Sequence, residues 1–316
     1  FNTLYPKYSS WEKTIVSDED AHWAVTKPRD ITNSSSYATA AGSWLNEVPI
    51  AEGFFEGKGS NNWAVNGSRS STGAPILAGD MHLGLSLPAI WYEAHLVTPT
   101  TNVYGVTFPT QPAIMEGVTP DIAWAFTNTG SDQIDYYRLE LNAERNAYQF
   151  DGQWKPLDVH VDTMYVSGSD PVIESRLISH IGPVLEGPAR DYAVKWVGHE
   201  FGNTLSAIWD MNRATDYASF DKATRNWDYP MQNILYAGSD SIIAIRSTGY
   251  LPVRAHGQGF GVQDGTTSET AWIGRVPFDE LTHAVSPDRG YLTSTNQRPA
   301  PETYPYYMGQ DWRSIY

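Results

Sequence analysis

The sequence contains no cysteine, which excludes structural disulfides and thiolate metal sites and leaves the cellular compartment open. No apolar run approaches the roughly 20 residues that a membrane-spanning helix needs, so no membrane span is expected. Cations are scarce: 21 Lys and Arg stand against 36 Asp and Glu, a formal net charge of −15, and this disfavours nucleic acid or an anionic membrane surface as a partner. Several local signatures of catalysis are also missing. There is no G-x-S-x-G elbow, H-E-x-x-H zinc helix, Walker loop or dinucleotide-binding glycine fingerprint. The 8 histidines are scattered, and none pair at metal-ligand spacing on a helix. Phe1 opens without a starter Met or a leader pattern, and Gln310 to Tyr316 stop without Gly or Pro punctuation. The chain is therefore expected to be an excerpt, and the missing leader carries no information about export.

Hydrophobic residues make up 41% and aromatics 13% of the 316 residues, enough for a packed globule with a sizeable core and against disorder. Residues 1 to about 59 are polar and irregular, with Ser34-Ser35-Ser36 and a glycine-dense end from Gly53 to Gly59, the pattern of a linker or spacer. From Ser60 to about residue 205 strands and turns dominate. Strands are predicted beginning at Asn61 to Val65, resuming at Ala74 to Ala78, and at Asn102 to Phe108, Asp121 to Thr127, Val159 to Val166 and Tyr192 to Val197. Helical character centres on Tyr217 to Trp227, with Thr215 or Asp216 as N-cap. A short buried-strand pattern follows at Ser241 to Ile245. Many strands with interspersed helices imply packed sheets in an α+β or α/β layered domain.

One local pattern carries chemistry. In Gly57-Lys58-Gly59-Ser60-Asn61-Asn62-Trp63 a glycine-rich arm runs into a serine that opens a strand. If the Gly59–Ser60 bond is cut, Ser60 has a free α-amine beside its own hydroxyl. With an unperturbed pKa of roughly 7.7–8.0, that amine can serve as general base without a histidine. Gly59, lacking a Cβ, tolerates the backbone that self-cleavage requires. On spacing alone, a glycine–serine pair before a strand is usually just a turn.

Ser60-Asn61-Asn62-Trp63-Ala64-Val65 resembles the start of the mature β chain in the penicillin acylase family, the N-terminal nucleophile hydrolases that include acyl-homoserine lactone acylases. Further along, Leu77 to Leu83 resembles that family's N-D-P-H-L segment, Ile122 to Gly130 the turn before its metal loop, Tyr291 to Pro299 its asparagine loop, and Phe1 to Leu4 a segment near the end of its α chain. The resemblance implies an α+β fold, an αββα sandwich of two antiparallel sheets between helical layers. It divides the chain into the end of an α-chain segment (1–28), a spacer peptide (29–59) and the N-terminal part of a β chain (60–316). It implies self-processing between Gly59 and Ser60, then hydrolysis of an amide joining an acyl group to an amine through an acyl-enzyme on Ser60. Partners are a small N-acyl amide and the remainder of the protein's own α and β chains, and the location is periplasmic or secreted.

Site residues follow by resemblance. The Asn296 side chain and the Asn128 backbone N–H are expected to stabilise the oxyanion, His82 to hydrogen-bond near the nucleophile, and Arg313 to orient the amine and the asparagine. Each also has a plain structural role available: turn residues for Asn128 and Asn296, a core histidine, a surface ion pair. Leu83, Met115, Glu116 and Phe126 are expected to line the acyl pocket. A carboxylate in an apolar pocket is costly unless paired, so Glu116 either points out of the pocket or faces a cationic or polar acyl group. Asp132 and Asp135, three apart with a carbonyl between them, are hard oxygen ligands suited to calcium. The family carries a structural calcium there, and the match extends to the Ile134 and Pro252 carbonyls and to Glu302. Two other readings remain: an unprocessed or inactive precursor, and a secreted carbohydrate-active protein using its 12 Trp and 19 Tyr to stack sugars and paired carboxylates for chemistry.

Overall fold

Strand alternation builds the sheet that carries the serine. The computed structural model describes residues 13–23, 59–255, 259 and 261–309. In β1 (Gly59–Val65) Ser60, Asn62 and Ala64 are buried while Trp63 is exposed, the period of two that puts alternate residues on one face. β1 lies between β2 (Ile76–His82) and β19 (Tyr291–Ser294) in a three-stranded antiparallel sheet. In β19 the buried residues are Leu292 and Ser294.

A seven-stranded antiparallel sheet faces it, in the order β18 (His283–Val285), β14 (Ile243–Thr248), β13 (Gln232–Gly238), β6 (Ile122–Asn128), β5 (Glu116–Val118), β4 (Thr101–Thr107) and β3 (Tyr92–Thr98). Between the two sheets one core joins Ala64 and Leu292 to Leu235, Ala237, Ile243, Ile245 and Ala284, with Leu77 packed against it. Ile15 and Val16 belong to the same core, and their backbone N–H groups donate to the Arg298 and Pro299 carbonyls at 3.0 Å each. So residues 13–23, which composition assigns to an irregular linker, are partly built into the fold.

The other face of the large sheet carries Trp124, Phe126, Ile234 and Tyr236 against α1 (Thr204–Met211) and α2 (Tyr217–Thr224). α1 turns Ala207, Ile208 and Met211 inward. α2 opens with a capping box: Asp216 accepts from the Ser219 backbone N–H at 2.8 Å, and the Ser219 hydroxyl accepts from the Asp216 N–H at 3.2 Å. Asp216, not Thr215, is thus the cap. The helix ends at Thr224 rather than Trp227, because the last residues tighten into short turns, with Trp227 N–H donating to the Thr224 carbonyl. These layers run helix, large sheet, small sheet, and among the described residues α1 and α2, both on one side, are the only α-helices.

A smaller sheet, β12 (Tyr192–Trp196), β7 (Ile134–Arg138) and β16 (Val262–Asp264), contains a parallel pairing, β16 with β7. Three two-stranded pairings complete the described strands: β8 (Ala147–Phe150) with β9 (Gln153–Pro156), β10 (Asp158–Met164) with β11 (Val172–Ile178), and β15 (Pro252–Arg254) with β17 (Trp272–Arg275). Residues 29–58 of the expected spacer lie outside the described residues.

Candidate active site

Ser60 is the second residue of β1, placed opposite Met81 of β2, and is 8% exposed. Its backbone N–H donates to Asn296 Oδ1 at 2.6 Å, and its hydroxyl donates to the Gly59 carbonyl at 2.7 Å. Asn296 Nδ2 donates to the Asn128 carbonyl at 2.9 Å. Because a backbone N–H can only donate and a carbonyl can only accept, these two partners fix which way the Asn296 amide faces. Asn296 holds this position with φ of 64°, the left-handed region that asparagine tolerates better than most residues. Ser60, Asn128 and Asn296 therefore come together across 236 residues of chain.

The Asn128 end is braced from several sides. Its carbonyl also accepts from Asn233 Nδ2 at 3.3 Å, and its side-chain oxygen accepts from Gln232 Nε2 at 2.7 Å. Asn233 donates to the Thr127 hydroxyl at 3.1 Å and accepts from the Ser247 hydroxyl at 2.6 Å. Thr127 and Ser294 hydroxyls meet at 2.6 Å across the two sheets. Such satisfied polar groups fix sheet against sheet where an unpaired one would be costly. Sequence reading missed Asn233 and Ser247. Each stands beside other polar residues near a strand end, Gln232 next to Asn233 and Arg246 and Thr248 next to Ser247, so the local sequence does not single them out.

His82 stands opposite Gly59 in the β1–β2 ladder, but its Nε2 lies 2.9 Å from Asp80 Oδ2 and the pair is partly exposed. Its ring partner is Asp80 and not Ser60, because strand alternation puts His82 on the same face of β2 as Asp80, whereas Ser60 pairs with Met81 and shares the opposite face. Arg313 lies outside the described residues.

The four expected pocket residues do not form one lining. Phe126 and Met115 pack into the core on the helix side, with Phe126 against Trp227 at 5.1 Å between ring centroids. The period of two is the reason: Thr127 faces the serine-bearing sheet, so Phe126 must face away. Leu83 follows β2 and is half-buried. Glu116 is buried and does face β2, since a Cβ at Gly79 would come 3.2 Å from Glu116 Oε2 and 2.7 Å from the Ala125 Cβ. Burial pushes the Glu116 carboxyl up to about 8, against a backbone hydrogen bond at Phe126 that pulls it down. A cleft of about 310 Å³ lined by Phe201, Tyr229, Tyr250 and Arg275 among others contains none of these residues, so it is a separate feature of the surface.

Asp132 and Asp135 are held by a protein cation. Arg254 Nε donates to Asp135 Oδ2 at 2.6 Å, and Arg254 Nη2 lies 3.3 Å from Asp132 Oδ1. Burial pushes the Asp132 carboxyl up to about 7, against the pull of Arg254. Ile134 opens β7, Pro252 opens β15 and Glu302 is exposed. Among the described residues no group of three or more His, Cys, Asp or Glu is arranged to hold a metal. Calcium takes six to eight oxygens, and a guanidinium between the two carboxylates does not fit that donor set.

A family model described as Penicillin amidase matches residues 2–316. An acyl-homoserine lactone acylase QuiP from Pseudomonas syringae pv. syringae is 28% identical over 263 residues, 80% of this chain and 32% of that protein. Penicillin acylase 2 proenzyme from a Pseudomonas species is 26% identical over 269 residues, 82% and 34% of the two chains. A thermostable penicillin G acylase from Alcaligenes faecalis superimposes with a TM-score of 0.71 at 25% identity, covering 81% of this chain and 47% of that one. The chain thus spans about a third of the length of the curated relatives it matches. With a family match over nearly every residue, and a serine, an asparagine amide and a strand-end carbonyl joined at the edge of two packed sheets, the chain belongs to the penicillin amidase family.

Proposed function

We propose that this chain forms the nucleophile-bearing part of an amidohydrolase that cleaves the amide between an acyl group and an amine, with Ser60 freed as an N-terminal nucleophile by self-cleavage after Gly59. The observation that carries the reading is the Asn296 amide bridging the Ser60 N–H and the Asn128 carbonyl. The relatives named as an acyl-homoserine lactone acylase and as a penicillin acylase proenzyme support it.

In the uncut chain the Ser60 hydroxyl lies beside the Gly59 carbonyl. Attack of Oγ on that carbonyl carbon, with the hydroxyl proton passing to the Ser60 nitrogen as the Gly59–Ser60 C–N bond breaks, gives an ester. Water then hydrolyses it to a Gly59 carboxylate and a free Ser60 amine. Asn296 Oδ1, already on that nitrogen, orients the new amine so that its lone pair can take the Ser60 hydroxyl proton. Oγ attacks the substrate carbonyl, the amine leaving group departs with a proton, and water releases the acyl group. The second Asn296 Nδ2 hydrogen and the Asn128 backbone N–H are the oxyanion donors in this scheme, each worth roughly 2.7–4 kcal/mol in the transition state. The αββα sandwich, export to the periplasm or medium, and assembly with the remainder of the α and β chains belong to the same proposal.

The test is mass spectrometry with an amidase assay on the full chain and its Ser60→Ala variant. The native protein is expected to show a new N-terminus at Ser60 and to hydrolyse N-acyl amides. The variant is expected to stay intact and to lose activity by about 10³-fold or more. Cleavage at the same bond in Ser60→Ala would overturn the self-processing account.

A further inference from the structure

Two carboxylates, Asp132 in the loop after β6 and Asp135 at the start of β7, need a countercharge, and the fold supplies one from a distant strand. We propose that the Arg254 guanidinium is the resident cation of this loop, in the position that a divalent ion would otherwise take, and that the loop folds without metal.

Arg254 ends β15 and is 3% exposed, and Asp135 is 1% exposed. Arg254 Nε donates to Asp135 Oδ2 at 2.6 Å, and Nη2 reaches Asp135 Oδ1 at 3.3 Å and the Asp132 carbonyl at 3.2 Å. Nη2 also lies 3.3 Å from Asp132 Oδ1. Trp272 Nε1 donates to the same Asp135 Oδ2, so that oxygen already takes two donors. The Trp272 and Tyr307 ring centroids lie 5.6 and 5.5 Å from the guanidinium carbon. Backbone closes the remaining side: a Cβ at Gly259 would sit 2.3 Å from Arg254 Nε and 2.6 Å from Asp135 Oδ1.

A planar fork of N–H donors matches two carboxylates and a carbonyl, whereas calcium requires six to eight oxygens at close range. A dication added beside the guanidinium would meet like-charge repulsion in a site with little water to screen it. The placement also has a purpose in the fold. The loop from Asn128 to Ile134 joins the carbonyl that holds Asn296 to the start of β7. A cation fixed in the chain holds that loop without depending on metal supply.

Thermal unfolding of the full chain in a chelator and in millimolar calcium, with terbium luminescence excited through tryptophan, tests this. The native midpoint is expected to be the same in both within about 1 °C, since a ligand that does not bind the folded state cannot shift it. No saturable terbium emission is expected. Arg254→Met, which strands the buried Asp135 and the half-buried Asp132 carboxylates, is expected to lower the midpoint by about 10 °C, and Arg254→Lys by less. A chelator-induced fall that calcium reverses, or saturable terbium binding, overturns the proposal. So does an Arg254→Met midpoint equal to that of the native chain. If Arg254→Met does not fold, the native chelator and terbium measurements decide.

Discussion

Glu116 is mainly protonated at neutral pH, because burial pushes its carboxyl from the ordinary value up to about 8. The folded state therefore holds the proton more tightly than the unfolded chain. Its contribution to stability is fully present below the unfolded value and is lost as pH rises through about 8. Integrated over that window the loss is on the order of 5 kcal/mol. Glu116→Gln keeps the size and the acceptor toward the Phe126 backbone but cannot ionise. Urea unfolding at about pH 5 and about pH 8 should find the two proteins alike at the lower pH and the variant more stable at the higher one. Parallel profiles would mean that the carboxyl ionises freely, with water reaching it. The same residue shows what sequence could and could not yield at this scale. That a carboxylate at position 116 would be out of place in an apolar pocket was readable from its type. That it faces Gly79, where a side chain would collide with Ala125, depends on two sheets meeting. Ser60 and Asn296 were legible because each sits in a distinctive run of residues. Arg254 was not, since Asp135 lies 119 positions away and nothing in Pro252-Val253-Arg254 announces a buried ion pair.

At the scale of elements, alternation and capping decided what could be read. β1 and β6 were legible because their apolar and turn residues fall in pattern, and α2 because Asp216 stands before it. β13 was not, since all seven of its residues are buried, so it has no solvent face to impose a period on the sequence. Its inward polar residue, Asn233, instead serves the network behind Asn128. β3 escaped for the opposite reason: six of its seven residues are exposed, and its pairing with β4 comes from adjacency in the chain more than from burial. Where the local signal was strong it also measures a local energy. Asp216→Ala removes the side-chain half of the α2 capping box, leaving the backbone N–H of that position still able to donate to Ser219 Oγ, and is expected to destabilise the protein by about 1 kcal/mol. Asp216→Asn, which can still accept the Ser219 N–H, should recover most of the loss. Chemical denaturation of the three proteins checks this, and equal losses in both variants would assign the effect to charge instead of capping.

The whole molecule has a mixed core, and that bears on the outcome of the proposed cut after Gly59. Ile15 and Val16 are 3% and 1% exposed among residues from β1, β13, β14, β18 and β19. Two backbone hydrogen bonds tie them to Arg298 and Pro299, the Thr303 hydroxyl donates to Asp18 at 2.5 Å, and Arg289 pairs with Asp20. Polar composition hid this, because only Ile15, Val16 and Trp23 carry the apolar contact in the segment. Severing Gly59–Ser60 therefore leaves residues 13–23 as a non-covalent part of the sheet core. Each buried aliphatic side chain there contributes roughly 1.5–3 kcal/mol by burial, and the ladder-like backbone bonds add to it. The two fragments are expected to co-elute in size-exclusion chromatography under native conditions and to separate only in denaturant. Ile15→Ala is expected to cost about 2–5 kcal/mol and to lower the denaturant concentration at which the fragments part. A fragment bearing residues 13–23 that dissociates in native buffer would show that the covalent link, and not the shared core, holds this segment in place.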